Sequence, residues 1–530
     1  MNAPETPARA EILGKACRGM VGLRRGGSPT VWNHASDVSA RMAKPRLIDR
    51  RNAIRIAAAG AATLVGSARR ASSAPSNRPN VLLITADDMN HDSLGVTGCK
   101  APDITPNLDR LAAQGLRFEH AHVTIAVCQP NRSVLMTGRF PHRNGAEGFE
   151  PIRHDVPTLQ ESLRAAGYLN GILGKVNHLA PPNKFCWDVV VQPNALGNGR
   201  SPEQYYQHCT SFFEQAKQAG KPFLLMANSH DPHRPFPRSD PERTGAKKRA
   251  TTFPEATRYY LPDEVEVPGF LPDLPDIRTE IAQYYTAVHR CDETVGAILR
   301  ALRETGLEDS TLVMFLSDNG MAFPFAKTNV YLNSTKTPWI VRWPRVVLPG
   351  RVDRKHLTSS IDFMPTILEA AGCPAVGAMD GRSFLPLLKG EQQNNRDTVM
   401  TVFHETSAKR RFEMRCIQDK QYGYIFNPWS DGKTVFRNES QSGLTFRAMQ
   451  EAAKTDSAVA ARVNHFLYRV PEESYDFEND PNALHDLINR PQSTRQVDRL
   501  RKALLERMDA ARDPLIAIYR KQLGAGAARG

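Results

Sequence analysis

Residues 81–88 read VLLITADD, and this stretch decides the fold. Its first six residues are apolar or small without polar alternation, which is typical of a strand buried on both faces of a parallel sheet. Such a strand would end at Asp87 and Asp88, and in open α/β sheets ligands bind at the carboxyl ends of the strands. Two adjacent carboxylates repel each other unless a cation or a helix terminus compensates them, whereas in a solvated turn they need no partner. The stretch therefore predicts either a binding site or an exposed turn after the first strand.

Further apolar stretches alternate with amphipathic ones along the chain. The amphipathic stretches have apolar residues at helical spacing and end at glycines such as Gly115 and Gly306, so they predict helices. This alternation predicts an α/β fold with a large, mostly parallel sheet that is sandwiched by helices. The other predicted strands are residues 118–127, 168–173, 223–227 and 311–316, and the predicted helices are residues 105–115, 159–166 and 277–305.

The length of 530 residues allows one large domain and a smaller one. A hydrophobic content of 41% and a charged content of 24% are those of a soluble globular protein, and no apolar run is long enough to span a bilayer. We expect the second domain to be α+β, with a small antiparallel sheet and a C-terminal helix. The predicted parts are an N-terminal extension at residues 1–74, the large α/β domain at 79–395, the α+β domain at 396–520 and a disordered tail at 521–530.

The positive charge of the chain is concentrated near its beginning. The formal net charge is +13, but residues 1–74 contain 13 Lys and Arg against 4 Asp and Glu, which leaves +4 for the remainder. We therefore expect no nucleic-acid partner. A modest positive balance suits an anionic substrate.

The same N-terminal part resembles a twin-arginine export signal. Arg50 and Arg51 precede an apolar run at residues 54–65, and small residues follow at 72–74. An ordinary helix is the alternative interpretation, and Met42 is a second candidate start. The pattern predicts a periplasmic or secreted bacterial protein with no stable membrane anchor.

Polar clusters follow the ends of several predicted strands. Asp87, Asp88, Asp318 and Asn319 offer hard oxygen ligands without an accompanying soft cluster, which favours Ca²⁺, with Mg²⁺ as the second choice, over Zn²⁺. The eight cysteines contain no Cys-x-x-Cys pair, so a zinc ribbon is not indicated. The spacing of two histidines at 230 and 233 would suit zinc and stays an alternative.

Cys128 begins the sequence CQPNRS, and TGR follows at residues 137–139. The cysteine lies at the end of a predicted strand and near the start of a helix, where backbone N–H groups favour an anion. A cysteine beside Arg132 could be a low-pKa nucleophile, or it could be an inert buried residue. Taken singly, Lys175, His178, His233 and Lys327 are equally compatible with structural or surface roles.

The order of these motifs resembles the formylglycine-dependent sulfatases of the alkaline-phosphatase-like superfamily. Three stretches, around residues 230–234, 317–331 and 401–403, are most similar to the sulfamidase (heparan N-sulfatase) branch. Lys327 departs from that branch, which has Arg there, and the spacing in GKVNH differs too, so the substrate stays open. The matching pieces are LLITADD (82–88), TPNLDRLA (105–112), CQPNRS (128–133), TGR (137–139), GKVNH (174–178), PHRP (232–235), SDNG (317–320) and SYDFENDP (474–481).

The resemblance implies a mechanism and a set of site residues. A formylglycine-generating enzyme would convert Cys128 to 3-oxoalanine (formylglycine), and one oxygen of its hydrate would attack sulfur. The implied metal ligands are Asp87, Asp88, Cys128, Asp318 and Asn319. In the implied mechanism Arg132 steadies the hydrate, and Lys175 and Lys327 neutralise the sulfuryl oxygens. His233 protonates the leaving group, and His178 removes the proton from the remaining oxygen of the hydrate. The candidates for substrate binding are Asp231, His404 and Glu405, and a structural role is the alternative for each of them.

The resulting functional prediction is a sulfatase that hydrolyses a sulfate ester or an N-sulfate of a sulfated sugar, for which a glycosaminoglycan is one source. Two alternatives stay open. One is a phosphonate or phosphodiester hydrolase that uses the same nucleophile, and the other is a sulfated-glycan binder without catalysis.

Overall fold

Two β-sheets organise the part of the chain that the computed structural model describes, residues 78–240 and 253–527. The predicted export signal and the last three residues of the predicted tail lie outside this part. The strands of the first sheet are β1 Asn80–Ala86, β2 Leu116–His122, β3 Leu169–Leu173, β4 Val189–Val191, β5 Phe223–Asn228, β6 Thr311–Ser317, β7 Trp339–Arg342 and β8 Arg351–Ser359. Those of the second are β9 Val399–Glu405, β10 Arg411–Gln418, β11 Tyr422–Phe426 and β12 Glu472–Asp476.

The first sheet has the order β4-β3-β5-β1-β6-β7-β2-β8. Its pairs are parallel except those of β7, which is antiparallel to both neighbours. The second sheet, β12-β11-β10-β9, is antiparallel throughout. The predicted fold class, a large mostly parallel sheet with a smaller antiparallel sheet after it, is confirmed. The predicted boundary at residue 395 stays a prediction.

Helices cover the sheets and connect their strands. They are α1 Pro106–Ala113, α2 Cys128–Thr137, α3 Pro141–Asn144, α4 Leu159–Ala165, α5 Pro182–Phe185, α6 Pro202–Ala219, α7 Pro275–Glu304, α8 Leu332–Thr335, α9 Phe363–Ala370, α10 Leu385–Leu388, α11 Leu444–Ala452, α12 Ser457–Tyr468, α13 Thr494–Ala510 and α14 Ile516–Ala527. Among the described residues, none of these helices is both long enough and apolar enough to cross a bilayer.

Strand β1 explains why its sequence shows no alternation. Leu82 and Ile84 belong to one hydrophobic core and Val81 and Leu83 to another, and all four are fully buried. Both faces of the central strand are therefore covered, as its unbroken apolar sequence predicts. The strand ends level with its neighbours, since Thr85 pairs with Asn228 of β5 and with Leu316 of β6. Residues that follow these strands consequently meet at one edge of the sheet.

The second predicted strand is shorter than expected, because β2 ends at His122 rather than at residue 127. Beyond it the chain leaves the first sheet and approaches the second. Thr124 accepts a hydrogen bond from the backbone N–H of Val402 at 2.8 Å, and Ile125 forms a parallel bridge with Val402. This passage leads into α2, whose first residue is Cys128.

Helix α14 continues to Ala527, so regular structure extends into the segment that the sequence predicts to be a disordered tail. Tyr519 of this helix is fully buried and its ring packs against Phe426 of β11. Leu523 packs partly against the same core. These apolar contacts explain the continuation, because burial of an amphipathic face supplies most of a helix's stability in a protein.

Candidate active site

The carboxyl ends of three parallel strands, β1, its neighbour β6, and β3 on the far side of β5, supply the central residues of the candidate site. Asp87 and Asp88 follow β1, Asp318 and Asn319 follow β6, and Lys175 follows β3. All of them are buried. Asp88 and Lys175 both have positive φ values, 70° and 50°, which turn the chain sharply after each strand. Such left-handed conformations of residues other than glycine often occur at functional sites.

Asp88 is the hub of this cluster. Its backbone N–H donates to Asp318 Oδ1 at 3.1 Å, its Oδ1 accepts from Asn319 Nδ2 at 2.7 Å, and its Oδ2 accepts from Lys327 Nζ at 2.9 Å. Burial, opposed by the charge of Lys327 and aided by the charges of Glu439 and Asp318, raises the pKa of Asp88 to about 7. An additional cation beside this carboxylate would stabilise its ionised form.

Two buried oxygens of the cluster have no hydrogen-bond donor among the described residues. They are Asp87 Oδ1 and Asn319 Oδ1. Buried oxygens without a partner are costly, and oxygens of this type are the preferred ligands of Ca²⁺ and Mg²⁺. Asp87, Asp88 and His233 offer ligand atoms that lie within 4.8 Å of one another. The residues present therefore fit a divalent cation.

Two predicted metal ligands are placed differently from these three. Both carboxylate oxygens of Asp318 already have donors, Oδ1 from the backbone N–H of Asp88 and Oδ2 from Arg132 Nη2 at 2.6 Å. Cys128 is buried at the start of α2 but is not part of the Asp87–Asp88–His233 group. Burial raises the pKa of the Cys128 thiol to about 12, against the charge of Lys327. An unmodified thiol is therefore protonated, which makes it a poor nucleophile and a poor ligand.

Arg132 is fully buried and joins three strand ends. Its Nη1 donates to Thr85 Oγ1 at 2.8 Å and to Asn228 Oδ1 at 2.5 Å, while Nη2 donates to Asp318. Thr85 and Asn228 pair across β1 and β5 and hydrogen-bond to each other at 2.8 Å. Sequence reasoning missed both of them; their positions as the last polar residues of adjacent buried strands were the available signal.

Lys175 contacts Asp87 through an ion pair. Burial lowers the pKa of this lysine to about 7, against the charge of Asp318. The backbone N–H of Lys175 donates to His230 Nε2 at 3.1 Å, and a Cβ atom at Gly199 would overlap the His230 ring. His230 therefore holds the turn that carries Lys175.

Lys327 is shared by two carboxylates that are far apart in sequence. Its Nζ contacts both Asp88 and Glu439, and the side chain is only 2% exposed. Burial would lower the pKa of Lys327, but the two carboxylates raise it well above its usual value. Glu439 was not predicted, since nothing in the surrounding sequence distinguishes it from a surface glutamate.

The two predicted catalytic histidines lie near the same cations. His233 Nδ1 is 2.6 Å from the carbonyl oxygen of Arg234, so we assign the ring proton to Nδ1, and Nε2 lies 3.8 Å from Asp88 Oδ2. Burial and the charge of Lys327 hold the pKa of His233 well below its usual value. His178 Nδ1 is buried without a hydrogen-bond partner among the described residues, and burial and Lys175 likewise lower its pKa.

Asp231 is not available to a substrate. It is fully buried, and its carboxylate accepts hydrogen bonds from Arg200 Nε at 3.1 Å and from Arg290 Nε at 2.7 Å and Nη2 at 3.0 Å. Its backbone carbonyl accepts from the N–H of Asp87 at 3.1 Å. The structure thus places Asp231 beneath the site, in contrast to the predicted contact with a sugar.

The other two candidates for substrate binding adjoin the segment around Gly148. His404 is completely buried, with Nδ1 3.6 Å from Glu147 Oε2, which favours a structural role. Glu405 packs against Gly148, where a Cβ atom would overlap its carboxyl group. Burial and the neighbouring Glu150 carboxyl group raise the pKa of Glu405 to about 7, so Glu405 takes up a proton near neutral pH.

This acidic pair lies close to the other site residues. Gln129, next to Cys128, donates from Nε2 to the carbonyl of Glu150 at 3.1 Å. Phe149 packs edge-on against His178 with ring centroids 6.1 Å apart. The pair therefore borders both the start of α2 and the predicted base.

Two family models match the chain. Residues 79–373 match the model described as "Sulfatase", and residues 321–432 match "N-sulphoglucosamine sulphohydrolase, C-terminal". The human N-sulphoglucosamine sulphohydrolase is 29% identical over 477 residues, which span 82% of this chain and 91% of the human protein.

Solved structures share the fold at lower identity. One is a protein in complex with its substrate D-glucosamine-2-N,6-O-disulfate, with a TM-score of 0.61, 18% identity, and coverage of 82% of this chain and 99% of that one. Another is the phosphonate monoester hydrolase of Agrobacterium radiobacter, with a TM-score of 0.62, 18% identity, and coverage of 82% and 96%. At such identities the likeness shows the fold alone.

Proposed function

Since this chain belongs to the sulfatase family and is a sulfuric ester or sulfamate hydrolase of sulfated sugars, we propose that its substrate is an N-sulfated amino sugar. The observation that carries the proposal is the meeting of two buried lysines, Lys175 and Lys327, with a carboxylate cluster beside Cys128. Lysine charges in a dry site suit a sulfuryl group, and the C-terminal match favours an N-sulfate.

The proposal includes a modified Cys128 and a divalent cation. When bound, the cation supplies Lewis-acid polarisation of a sulfate oxygen, and a hydrated formylglycine at position 128 supplies the nucleophilic oxygen. The protonated state of the unmodified thiol supports the need for modification. The hard oxygens of Asp87, Asp88 and Asn319 favour calcium, and Asp318 is held in place beside them by Arg132.

The two lysines neutralise charge on the substrate, and the two histidines transfer protons. Lys175 and Lys327 neutralise the sulfuryl oxygens and orient the group toward position 128. His233 keeps its own proton on Nδ1, where it donates to the carbonyl of Arg234, so Nε2 is the atom that takes up a proton from solvent and passes it to the leaving nitrogen or oxygen. His178 is held in its neutral form by burial and adjacent cations, which suits a base.

The acidic pair of Glu150 and Glu405 is the proposed contact for the sugar. Near neutral pH a partly protonated Glu405 and an ionised Glu150 offer both a donor and an acceptor to ring hydroxyl groups. The hydrogen bond from Gln129, next to Cys128, to the backbone carbonyl of Glu150 supports a sugar contact near position 128. Asp231 has no part in this contact.

The cellular location stays a proposal from the N-terminal sequence. A twin-arginine pattern at residues 50–51, followed by an apolar run, supports export to the periplasm or beyond. Export of a folded, metal-loaded enzyme would bring it to the compartment that sulfated polysaccharide fragments enter from outside the cell.

A substrate panel tests the function. We expect the purified protein to release sulfate from N-sulfated glucosamine at least about tenfold faster, in kcat/KM, than from 6-O-sulfated glucosamine, because a site that pairs a specific polar group discriminates by one or more kcal/mol. Aryl phosphonate and aryl phosphodiester substrates serve as the comparison for the alternative hydrolase. Faster hydrolysis of the phosphorus esters would favour that alternative. Binding of sulfated sugars without hydrolysis of any of them would favour the hypothesis of a non-catalytic glycan binder.

Calcium should stabilise the protein through the same cluster. After chelation and dialysis, calcium added at 100 times its Kd should raise the free energy of unfolding by about 2.7 kcal/mol. The Asp87→Asn variant, which removes one charge of the cluster, should lose most of this increase. Equal stabilisation of the variant and the wild type would contradict the assignment of Asp87 as a calcium ligand. A larger stabilisation by magnesium than by calcium would identify magnesium as the ion.

A further inference from the structure

Glu439 enters the candidate site from a segment that no motif of the chain includes. It begins a short 3-10 helix, Glu439–Ser442, which lies between β11 and β12. Its carboxylate forms an ion pair with Lys327 Nζ, although 35% of the glutamate side chain is exposed. Its Oε1 is thus buried beside the lysine while the rest of the side chain is partly exposed.

Neighbouring contacts hold this segment against the lysine. Asn438 Nδ2 donates to Thr328 Oγ1, the hydroxyl next to Lys327. Gln441 Oε1 accepts from the backbone N–H of Asn438 at 3.2 Å and its Nε2 donates to the carbonyl of Phe436 at 3.0 Å. The position of Glu439 is therefore fixed by its own segment and does not depend on Lys327 alone.

The donors of Lys327 can be counted. A lysine ammonium has three N–H donors and no acceptor, on a stem with four rotatable bonds. In this site one donor is directed to Asp88 and one to Glu439. Two fixed acceptors leave a single donor and determine its direction. A lysine anchored by Asp88 alone would keep rotational freedom about that contact.

We propose that Glu439 is a positioning residue that directs the remaining N–H of Lys327 toward the sulfuryl group of the substrate. The inference rests on the proposed function, because it requires that a sulfated sugar binds at this lysine. The carboxylate of Glu439 also opposes the binding of any anion beside Lys327. It therefore improves the geometry of the reacting complex while it weakens the binding of the substrate and of the sulfate product.

This combination gives a kinetic signature that a purely structural role would not produce. In the Glu439→Gln variant we expect kcat to fall about tenfold, as for the loss of one charged hydrogen bond, while KM stays equal or falls. Inhibition by inorganic sulfate should become stronger. Loss of a structural contact would instead raise KM and lower the melting temperature together.

The experiment compares three variants on the sulfated sugar that the wild type hydrolyses fastest. Glu439→Asp keeps the charge on a shorter side chain and should retain more of kcat than Glu439→Gln. The control is Glu451→Gln, which removes an exposed carboxylate of helix α11 that pairs with Lys454 beyond the end of the helix. The kinetics of this variant should equal those of the wild type. Inorganic sulfate binding, measured by calorimetry, gives a second readout that needs no turnover.

The outcomes separate the inference from the proposed function. An active wild type and a Glu439→Gln variant with unchanged kcat, or with weaker sulfate binding, would overturn the inference alone. A wild type that hydrolyses no sulfated sugar would overturn the proposed function and the inference with it.

Discussion

The Cys128→Ala variant should lose at least about 10⁴-fold in kcat, because removal of a nucleophile leaves only the catalysis that binding and electrostatics supply. The two lysines and the carboxylate cluster would remain, so the variant should still bind the sulfated substrate. It should also fold, since Cys128 contributes only a small side chain at the first turn of α2. The measurement is sulfate release under single-turnover and steady-state conditions, together with the affinity for the substrate.

A mass measurement connects this loss to the proposed modification. In protein from its native host, the peptide that contains Cys128 should be lighter by about 18 Da than the unmodified peptide, from the change of CH₂SH to CHO, in contrast to the heavier products of the ordinary cysteine oxidation series. For the loss of activity in Cys128→Ala, the matched control is Cys186→Ser, which should keep wild-type activity. Cys186 is partly exposed, and its Sγ contacts the carbonyls of Asn183 and Lys184 in its own turn. An unmodified Cys128 peptide in fully active enzyme would contradict the mechanism, as would activity in the alanine variant.

The cluster of acids at the sheet edge could be predicted because strand endings are a local property of the sequence. The apolar stretch before Asp87 and the one before Asp318 each end abruptly in acids, and parallel neighbours place such ends side by side. The same reasoning placed Lys175 after β3. It required no knowledge of which strand lies next to which, only that all of them run in the same direction.

Partners of the site residues could not be predicted in this way. Arg132 depends on Asn228, which pairs with Thr85 only because β5 lies beside β1 in the sheet. Glu439 reaches Lys327 across 112 residues of chain, and Glu150 meets Glu405 across 255. Such contacts depend on how the second sheet and its connections pack on the first, and no periodicity or spacing encodes that arrangement.

Asp231 shows how proximity in sequence can mislead. It lies two residues before His233 and was a candidate for contact with the sugar. The turn after β5 instead directs His233 toward Asp88 and Asp231 toward the interior, where Arg200 and Arg290 meet it. Whether a residue in such a turn faces outward or inward depends on charges elsewhere in the chain.

The Asp231→Ala variant should therefore lose about 3–5 kcal/mol of unfolding free energy, because it removes the carboxylate that two buried guanidinium groups share. Urea unfolding followed by circular dichroism measures this loss. Asp231→Asn should lose less, since its amide oxygen can still accept one of the hydrogen bonds. The backbone carbonyl of residue 231, which accepts a hydrogen bond from the N–H of Asp87, is kept in the variant. The molecules that remain folded should therefore keep their activity, and total activity should fall in parallel with the folded fraction.

The control for this loss is Asp509→Ala, which removes a carboxylate from an exposed pair with Arg520 and should cost only about 0–1 kcal/mol. A contact with the sugar would give the opposite pattern for Asp231, a raised KM with unchanged stability. The structure argues against that pattern, since the Asp231 carboxylate is fully buried and already accepts three hydrogen bonds from two arginines. A stable Asp231→Ala protein with weakened substrate affinity would show that the ion pairs rearrange and that the sugar reaches this carboxylate.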